Sequence, residues 1–385
     1  MASSKLTPMR HQTKTQALSD YLIENVHELA PKGKFLPMQQ LSERLNVSVM
    51  TLHRAMSELE AQNLIYRRQG SGTYVSPRLN QRTVGLVYDR DIFQPGASPF
   101  CGLLVEESRR RAASSEEKFS FYLAIPSHDG LPVHDDLVDA IHTRRLQGIL
   151  FVGEQNPEAI SWLLQQKIPT VALAYTPIAP WRVKIDHPAV VRMGVENLVS
   201  QGCRRIGLWI PAGVGIGPAS GQKSFPELDA FRQALKKHGL TYKPEYVWNV
   251  ESLTDTVETQ PRETNQEQGF RAAFEVFGNA AGATKAKREE MPDGLVILDD
   301  MMTRGAVVAL GKVGQHVGKD LRIATHTNHG STALSGYEAD LTIIEVDPAE
   351  IVQAMFDMLE TLMEGKTPAS ATVSIEPKLK SVNGQ

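Results

Sequence analysis

The sequence predicts two unlike parts: a small N-terminal winged helix-turn-helix, mostly α with a small β wing, and a larger α/β body of two doubly wound parallel-sheet lobes. Three observations predict it. Residues 48–75 read as a helix with one free face followed by a glycine-tipped basic hairpin; from Arg82 onward, short apolar runs alternate with amphipathic segments of helix length; and the charge of the two parts differs in sign.

In the head, Leu52, Ala55, Met56 and Leu59 recur at i, i+3, i+4 and i+7, which is one buried helical stripe, while Val49, Met50, His53, Arg54 and Ser57 face the other way. Ser48, the last residue of the turn Leu45-Asn46-Val47-Ser48, is placed to cap this helix. Upstream, Leu36, Leu41, Leu45 and Val47 fit a shorter helix across its buried side, and Leu18, Tyr21, Leu22, Val26 and Leu29 fit a first helix over residues 15–30. Beyond the second helix, two short β-prone runs, Leu64–Tyr66 and Thr73–Val75, flank Arg67-Arg68-Gln69-Gly70-Ser71-Gly72, where two glycines free the backbone to turn. A helix about 10–12 Å across fits the B-DNA major groove, roughly 12 Å wide, so side chains of its first two turns can reach base edges while nearby arginines hold phosphates. The expected DNA contacts are Ser48, Met50, Thr51, His53 and Arg54 on the helix, with Arg67, Arg68, Gln69, Gly70, Ser71 and Gly72 in the wing.

The whole chain of 385 residues carries a net charge of -3, unevenly spread. Residues 1–80 hold 10 Lys+Arg and 6 Asp+Glu, leaving 31 against 38 for the rest, so a basic head precedes an acidic body, as suits a protein that touches nucleic acid with one end. No apolar run approaches the ~20 residues of a membrane span and the N-terminus has no signal-peptide pattern, so the expected location is the cytoplasm. Cys101 and Cys203, far apart, suggest core thiols and neither a disulfide framework nor a zinc site.

Eleven strand-like runs lie between Arg82 and Glu376, among them TVGLVY, GILFVG, RIGLWI, GLVILD and LTIIEV. One sheet seldom exceeds about ten strands, which favours two lobes. Ser76 and Pro77 open a polar junction; the expected domains are 1–77, a linker at 78–81 and a body at 82–376.

The stretch LPMQQLSERLNVSVMTLHRAMSELEAQNLIYRRQGSGTYV resembles the winged helix-turn-helix of GntR-type bacterial transcription regulators over roughly residues 14–77. It departs from them at Met38-Gln39-Gln40 and at Val49, where the family usually carries arginines, so no operator sequence is carried over. The body resembles the effector-binding core of LacI-type repressors, which is periplasmic-binding-protein-like, through SPFCGLLVEESRRRA, LQGILFVG, KIPTVALAY, VKIDHPAVVRMGVENLVSQGCRRIGLW and PDGLVILDDMMTRGAVVALGKVG. This resemblance implies a first lobe of about 82–186 plus 347–376, a second of about 187–346, and crossings near Asp186, near Val346 and close to the C-terminus.

It also implies a small-molecule effector in the cleft between lobes, at the carboxyl ends of the strands. The matching positions are Ser98, Phe100, Ala174, Tyr175, Asp186, Glu227, Asp299, Asp300, Thr327 and Asn328, with Trp248 as a stacking candidate. Sugar binders of this kind often have an Asp-Arg pair where Ala174-Tyr175 stands, an arginine at Glu227 and an aspartate at Thr327, so a carbohydrate is the family's default and not a reading of these residues. The resemblance further implies allosteric control of double-stranded, pseudo-palindromic operator DNA by a homodimeric repressor, with no cofactor and no membrane partner.

Plainer roles stand beside these. Strand-end aspartates such as Asp186 and Asp300 also cap helices, and Trp181, Trp209 and Trp248 also fill cores. The run Gly213–Pro218 lacks the ending of a phosphate loop and reads as a cleft-rim loop; Arg109–Arg111 and Lys285–Glu290 read as solvated faces. His326 and His329 lack a third metal ligand nearby. With no G-x-S-x-G and no H-E-x-x-H, the body is expected not to be an enzyme; the rival readings are an enzyme fused to a regulator-like head and a ligand sensor that has lost DNA binding.

Overall fold

The computed structural model describes residues 17–19, 21–23, 33–61, 64–76, 82–93, 97–114, 117–125, 130–154, 156–211, 226–249, 263–278 and 290–380. Val26 and Leu29 of the first helix, the 78–81 linker, the Gly213–Pro218 run and residues 285–289 lie outside them. The chain divides into two compact units, one centred on residues 1–83 and the other on the remainder.

In the head, residues 17–19 and 21–23 are helical, with Leu18 and Leu22 buried. Tyr21, placed in the same stripe by its spacing, is instead 49% exposed. α1 (Met38–Leu45) ends at Asn46, whose left-handed backbone (φ 51°, ψ 46°) makes the tight turn that an asparagine tolerates. α2 (Val49–Ala61) follows after two residues. Leu36 precedes α1 and is 41% exposed; Phe35 takes its place in the core, because residues 33–35 run extended beside the wing. There Phe35 N–H donates to Thr73 O at 2.9 Å and Val75 N–H to Gly33 O at 2.7 Å. The wing pairs β1 (Ile65–Arg68) with β2 (Gly72–Val75) antiparallel, Arg68 opposite Gly72. Its strands thus reach further than the β-prone runs suggest, leaving a three-residue turn with Gly70 at φ 71°.

Among the described residues the body contains the eleven strands read from the sequence and a twelfth near its end. One sheet is assembled from β3 (Thr83–Tyr88), β4 (Lys118–Leu123), β5 (Gly148–Val152), β6 (Thr170–Leu173), β7 (Arg182–Ile185) and β13 (Thr372–Ile375), in the order β4-β3-β5-β6-β7-β13. The other takes β8 (Ile206–Ile210), β9 (Val247–Asn249), β10 (Gly294–Ile297), β11 (Arg322–Asn328), β12 (Leu341–Val346) and β14 (Lys378–Leu379), in the order β9-β8-β10-β11-β12-β14. β14 alone of this second sheet runs antiparallel, against β12. It is too short and charged to show in an apolar pattern.

Helices α3 (Pro99–Ser114), α4 (Asp135–His142) and α5 (Pro157–Gln165) belong with the first sheet; α6 (His187–Ser200), α7 (Pro226–Lys237), α8 (Asn265–Phe277) and α9 (Asp300–Lys312) belong with the second. α10 (Pro348–Met363) follows a strand of the second sheet yet buries Ile351, Met355, Phe356 and Leu359 against the first, with Val84, Leu86 and Leu150. The chain therefore passes between lobes after β7, after β12 and between β13 and β14.

Several surface readings change. Arg109 and Arg110 pair along their own helix with Glu106 and Glu107, as a solvated face should, but Arg111 turns to Glu360 at 2.5 Å and stacks over Phe356. Cys203 is buried and Cys101 partly so; burial raises both thiol pKa values, that of Cys203 to about 11. No helix among the described residues is long and apolar enough to cross a membrane.

Candidate functional site

The free face of the head is built by its core. With Leu52, Ala55, Met56 and Leu59 at 0–1% exposure, α2 turns the opposite flank outward: Met50 is 69% exposed, and His53 and Arg54 are exposed beside it. Ser48 caps the helix, its Oγ accepting the Thr51 N–H at 3.1 Å and lying 2.8 Å from the Thr51 hydroxyl. The wing residues from Arg67 to Thr73 surround one open concavity of about 340 Å³.

Arg67 does not extend with the tip. Its Nε lies 3.2 Å from Glu60 Oε2, its Nη2 donates to Ser57 Oγ at 3.2 Å, and its Nη1 is 3.3 Å from His53 Nε2. It thus braces the wing against α2, while Arg68, Gln69 and Gly70 stay exposed.

In the body, the residues expected in the cleft separate into two groups. Ser98 shapes a turn, its Oγ accepting the Phe100 N–H at 3.3 Å, and Phe100 packs on the first lobe's core. Trp248 packs on Trp209 at 6.4 Å with the Arg271 guanidinium 5.2 Å from its ring, so it serves the second lobe's core. Ala174 is buried in the first lobe's core with Phe151 and Ala172, a cluster other than the one Tyr175 packs against. Asp186 and Asp299 are N-caps: Asp186 Oδ1 accepts from Ala189 N–H at 2.9 Å and Asp299 Oδ1 from Met302 N–H at 2.7 Å. Asp300, 4% exposed, accepts the hydroxyls of Thr327 at 2.9 Å and Ser331 at 2.6 Å on one oxygen, which ties the start of α9 to the end of β11. Asp300 and Thr327 are therefore partners of one another inside the second lobe.

The other group meets where the lobes adjoin. Tyr175, at the end of β6, reaches across to His187, the first residue of α6: its hydroxyl is 3.0 Å from Nε2 and the rings stack at 4.6 Å. His187 in turn lies edge-on to His326 at 5.4 Å, and its Nδ1 is 3.9 Å from Glu227 Oε1. Nearby, a Cβ on Gly330 would stand 3.3 Å from Leu103 of α3, so the lobes approach closely on this side. His187 Nδ1, His326 Nε2 and Asn328 Oδ1 are buried with no hydrogen-bond partner among the described residues. Polar atoms so placed are costly unless something else meets them.

Electrostatics bind these residues into one neighbourhood. Burial raises the Tyr175 phenol pKa well above its usual value, and the Glu227, Glu154 and Asp299 carboxylates raise it further. Glu227 itself is pushed up by burial and by Asp186 and Glu154, against the pull of Lys184. Asp299 is lifted to about 7 by burial and by the charge of Asp300. Burial depresses both histidines, His187 far below its usual value and His326 to about 4, so both are neutral at pH 7. With a neutral phenol donating to Nε2, the bonding pattern assigns the His187 proton to Nδ1, facing Glu227. No group of three or more metal-ligating side chains occurs among the described residues. His329 pairs with Glu345 at 3.1 Å.

Residues 15–75 match the family model of bacterial regulatory proteins, gntR family, and residues 195–381 that of a periplasmic binding protein-like domain. The chain joins a gntR-family head to a periplasmic-binding-protein-like body. It is 23% identical over 382 residues to the arabinose metabolism transcriptional repressor of Geobacillus stearothermophilus, covering 94% of this chain and 93% of the repressor. Among solved structures, a regulatory protein of the LacI family from Chloroflexus aggregans aligns with a TM-score of 0.60 at 20% identity, over 77% of this chain and 96% of its own. A complex of the transcriptional regulator CelR with cellobiose aligns with a TM-score of 0.58 at 16% identity, over 90% and 99%. At such identities the structural likeness speaks for the fold. The relatives named here are transcription regulators.

In the gntR-family head the candidate surface was visible in the helical period. In the periplasmic-binding-protein-like body, sequence reasoning missed His187 and Glu154. His187 stood in the sequence between the capping Asp186 and Pro188. Nothing local marks such a histidine as the residue that meets a tyrosine from the other lobe.

Proposed function

We propose that the chain is a transcription regulator, most simply a repressor, whose head reads a double-stranded operator and whose body senses a small molecule between its lobes. The observation that carries this reading is the outward flank of α2, with Met50, His53 and Arg54 exposed above a capped helix N-terminus and a basic wing tip beside it. That surface has the width and donors for a major groove. The head is assigned to residues 1–77, a linker to 78–81 and the sensor to 82–376. Homodimers would place two heads on a pseudo-palindromic site in the cytoplasm, with half-sites about one or two helical turns apart. The named arabinose repressor and the cellobiose complex make a carbohydrate the starting candidate for the effector, bound near Tyr175, Glu227 and Asn328. Ligand would alter DNA affinity through unequal affinity for two lobe arrangements.

A salt titration of binding to the DNA upstream of the protein's own reading frame tests this. Phosphate contacts require affinity to fall steeply as salt rises. Absence of binding even at low salt would leave a sensor without a DNA partner, and turnover of a bound small molecule would favour an enzyme.

A further inference from the structure

The interlobe neighbourhood is strongly one-signed. Glu154 and Tyr175 come from the first lobe; Glu227, Asp299 and Asp300 come from the second; and Asp186 stands at the crossing. Against these carboxylates stand Lys184, which faces Glu227, Arg192, 3.8 Å from Asp186 and half-exposed, and Arg182, whose guanidinium is engaged with the Tyr175 carbonyl at 2.9 Å. Asp89, at the end of β3, has its own partner in Arg90 at 3.0 Å. The two histidines at the centre bring no positive charge. Glu227 is 5% exposed; its own backbone N–H bonds its carboxylate, and the His187 imidazole at 3.9 Å lies beyond hydrogen-bond reach. These carboxylates are hydrogen-bonded, Glu154 by the Thr176 N–H at 2.6 Å and the aspartates by helix N-termini and neighbouring hydroxyls. Yet so much negative charge gathered away from water is costly, and a bound cation relieves that cost whereas an anion would add to it. An independent sign of a missing donor is the orphaned Asn328 Oδ1, on a residue 7% exposed and with no partner among the described residues; the His187 Nδ1–H, equally without one, points to Glu227.

We propose that this site takes a small ligand bearing a protonated amine, held by Glu227 and Asp299, with a further ligand donor meeting Asn328 Oδ1. The proposal rests on the reading of the interlobe region as the effector site, and it replaces a neutral sugar with an amino compound as the preferred class. In the ligand-free protein, protons stand in for that cation: Asp299, with its pKa at about 7, is protonated in roughly half the molecules at neutral pH. An ammonium group entering the site displaces that proton. Binding of an amine therefore tightens as pH rises from 6 to 8 and releases protons, while binding of a neutral sugar shows neither effect.

The test uses the full chain and matched probes whose amines stay protonated through pH 8: glucamine against glucose and gluconate, and putrescine against 1,4-butanediol and succinate, by thermal shift and by calorimetry in buffers of differing ionisation enthalpy. The expected result is that an amine raises the melting temperature more at pH 8 than at pH 6, releases protons, and binds on the order of tenfold more weakly to Glu227→Gln or Asp299→Asn, since a hydrogen bond between charged groups has become a bond to a neutral amide. Asp299→Asn keeps the capping oxygen, so one variant retains its fold even if the other does not. Preference for the neutral or anionic member of each set, binding by no amine, or amine binding unaffected by both substitutions would overturn the proposal. DNA binding of the unsubstituted chain, measured alongside, reports separately on the regulator reading: neutral sugar binding with intact DNA binding sinks only the amine, and loss of DNA binding alone sinks only the regulator.

Discussion

The Tyr175 hydroxyl lies 3.0 Å from His187 Nε2, joining the end of a first-lobe strand to the first residue of a second-lobe helix. The chain passes between lobes at Asp186, so this pair clasps the crossing that any hinge motion must turn about. Tyr175→Phe keeps the stacked ring and removes the hydroxyl, leaving both His187 nitrogens without partners. The expected cost is about 1–2 kcal/mol of body stability by urea unfolding. A stability equal to that of the parent would show that the pair is incidental.

Arg54 stands on the exposed flank of α2, clear of the head's core. Arg54→Ala is expected to weaken operator binding by about 1–3 kcal/mol if the guanidinium meets a base edge, with little change in melting temperature. Fluorescence anisotropy on the operator checks this, and unchanged affinity would remove Arg54 from the interface.

The two wing arginines should behave differently. Arg68 is exposed at the end of β1, whereas Arg67 is held by Glu60, Ser57 and His53. Arg68→Ala should lower the slope of log affinity against log salt by about 1, as loss of one phosphate contact does, and Arg67→Ala should leave that slope unchanged. Equal slopes for the two variants would refute the bracing role.

A pH effect follows from Asp299. Its pKa rises from 3.8 in the unfolded chain to about 7 in the folded one, so the folded state binds the extra proton. This group's contribution to stability is greatest below pH 3.8 and is lost as pH climbs through 7. Asp299→Asn escapes that loss while keeping an oxygen for the Met302 N–H. The variant should exceed the parent by about 1–2 kcal/mol at pH 8, less than full linkage because the side chain keeps some solvent contact, and the gain should vanish near pH 4.5. Comparing variant with parent cancels the opposite trend of His187 and His326, whose depressed pKa values withdraw stability as pH falls below 6.5. A gain that is constant with pH would contradict the assigned proton.

Much of this was legible in the chain itself, and the reason is periodicity. Leu52, Ala55, Met56 and Leu59 fix which flank of α2 is free, and each of the eleven apolar runs announces its strand locally. Where local pattern ran out, the reading slipped. Leu36 has the right spacing for α1, but Phe35 is buried because residues 33–35 join the wing, a pairing made across some forty residues. Arg67 and Arg68 are indistinguishable in sequence; one is claimed by Glu60 on a neighbouring element. The meeting of Tyr175, His187, His326 and Glu227 draws on four separate segments, so no spacing encodes it. Asp186 and Asp300 carried a cap signal that competed with the ligand reading; Asp186 uses it, but at α9 the cap is Asp299 and Asp300 turns to Thr327 and Ser331.

The most direct test of the DNA-reading head is a footprint of the full-length protein on the DNA upstream of its own reading frame, at low salt. Two protected half-sites are expected, related by a dyad and about one or two helical turns apart, with protection lost in Arg54→Ala. Protection of no site, or of the same site undiminished in Arg54→Ala, would contradict the assignment of the α2 flank as the surface that reads DNA.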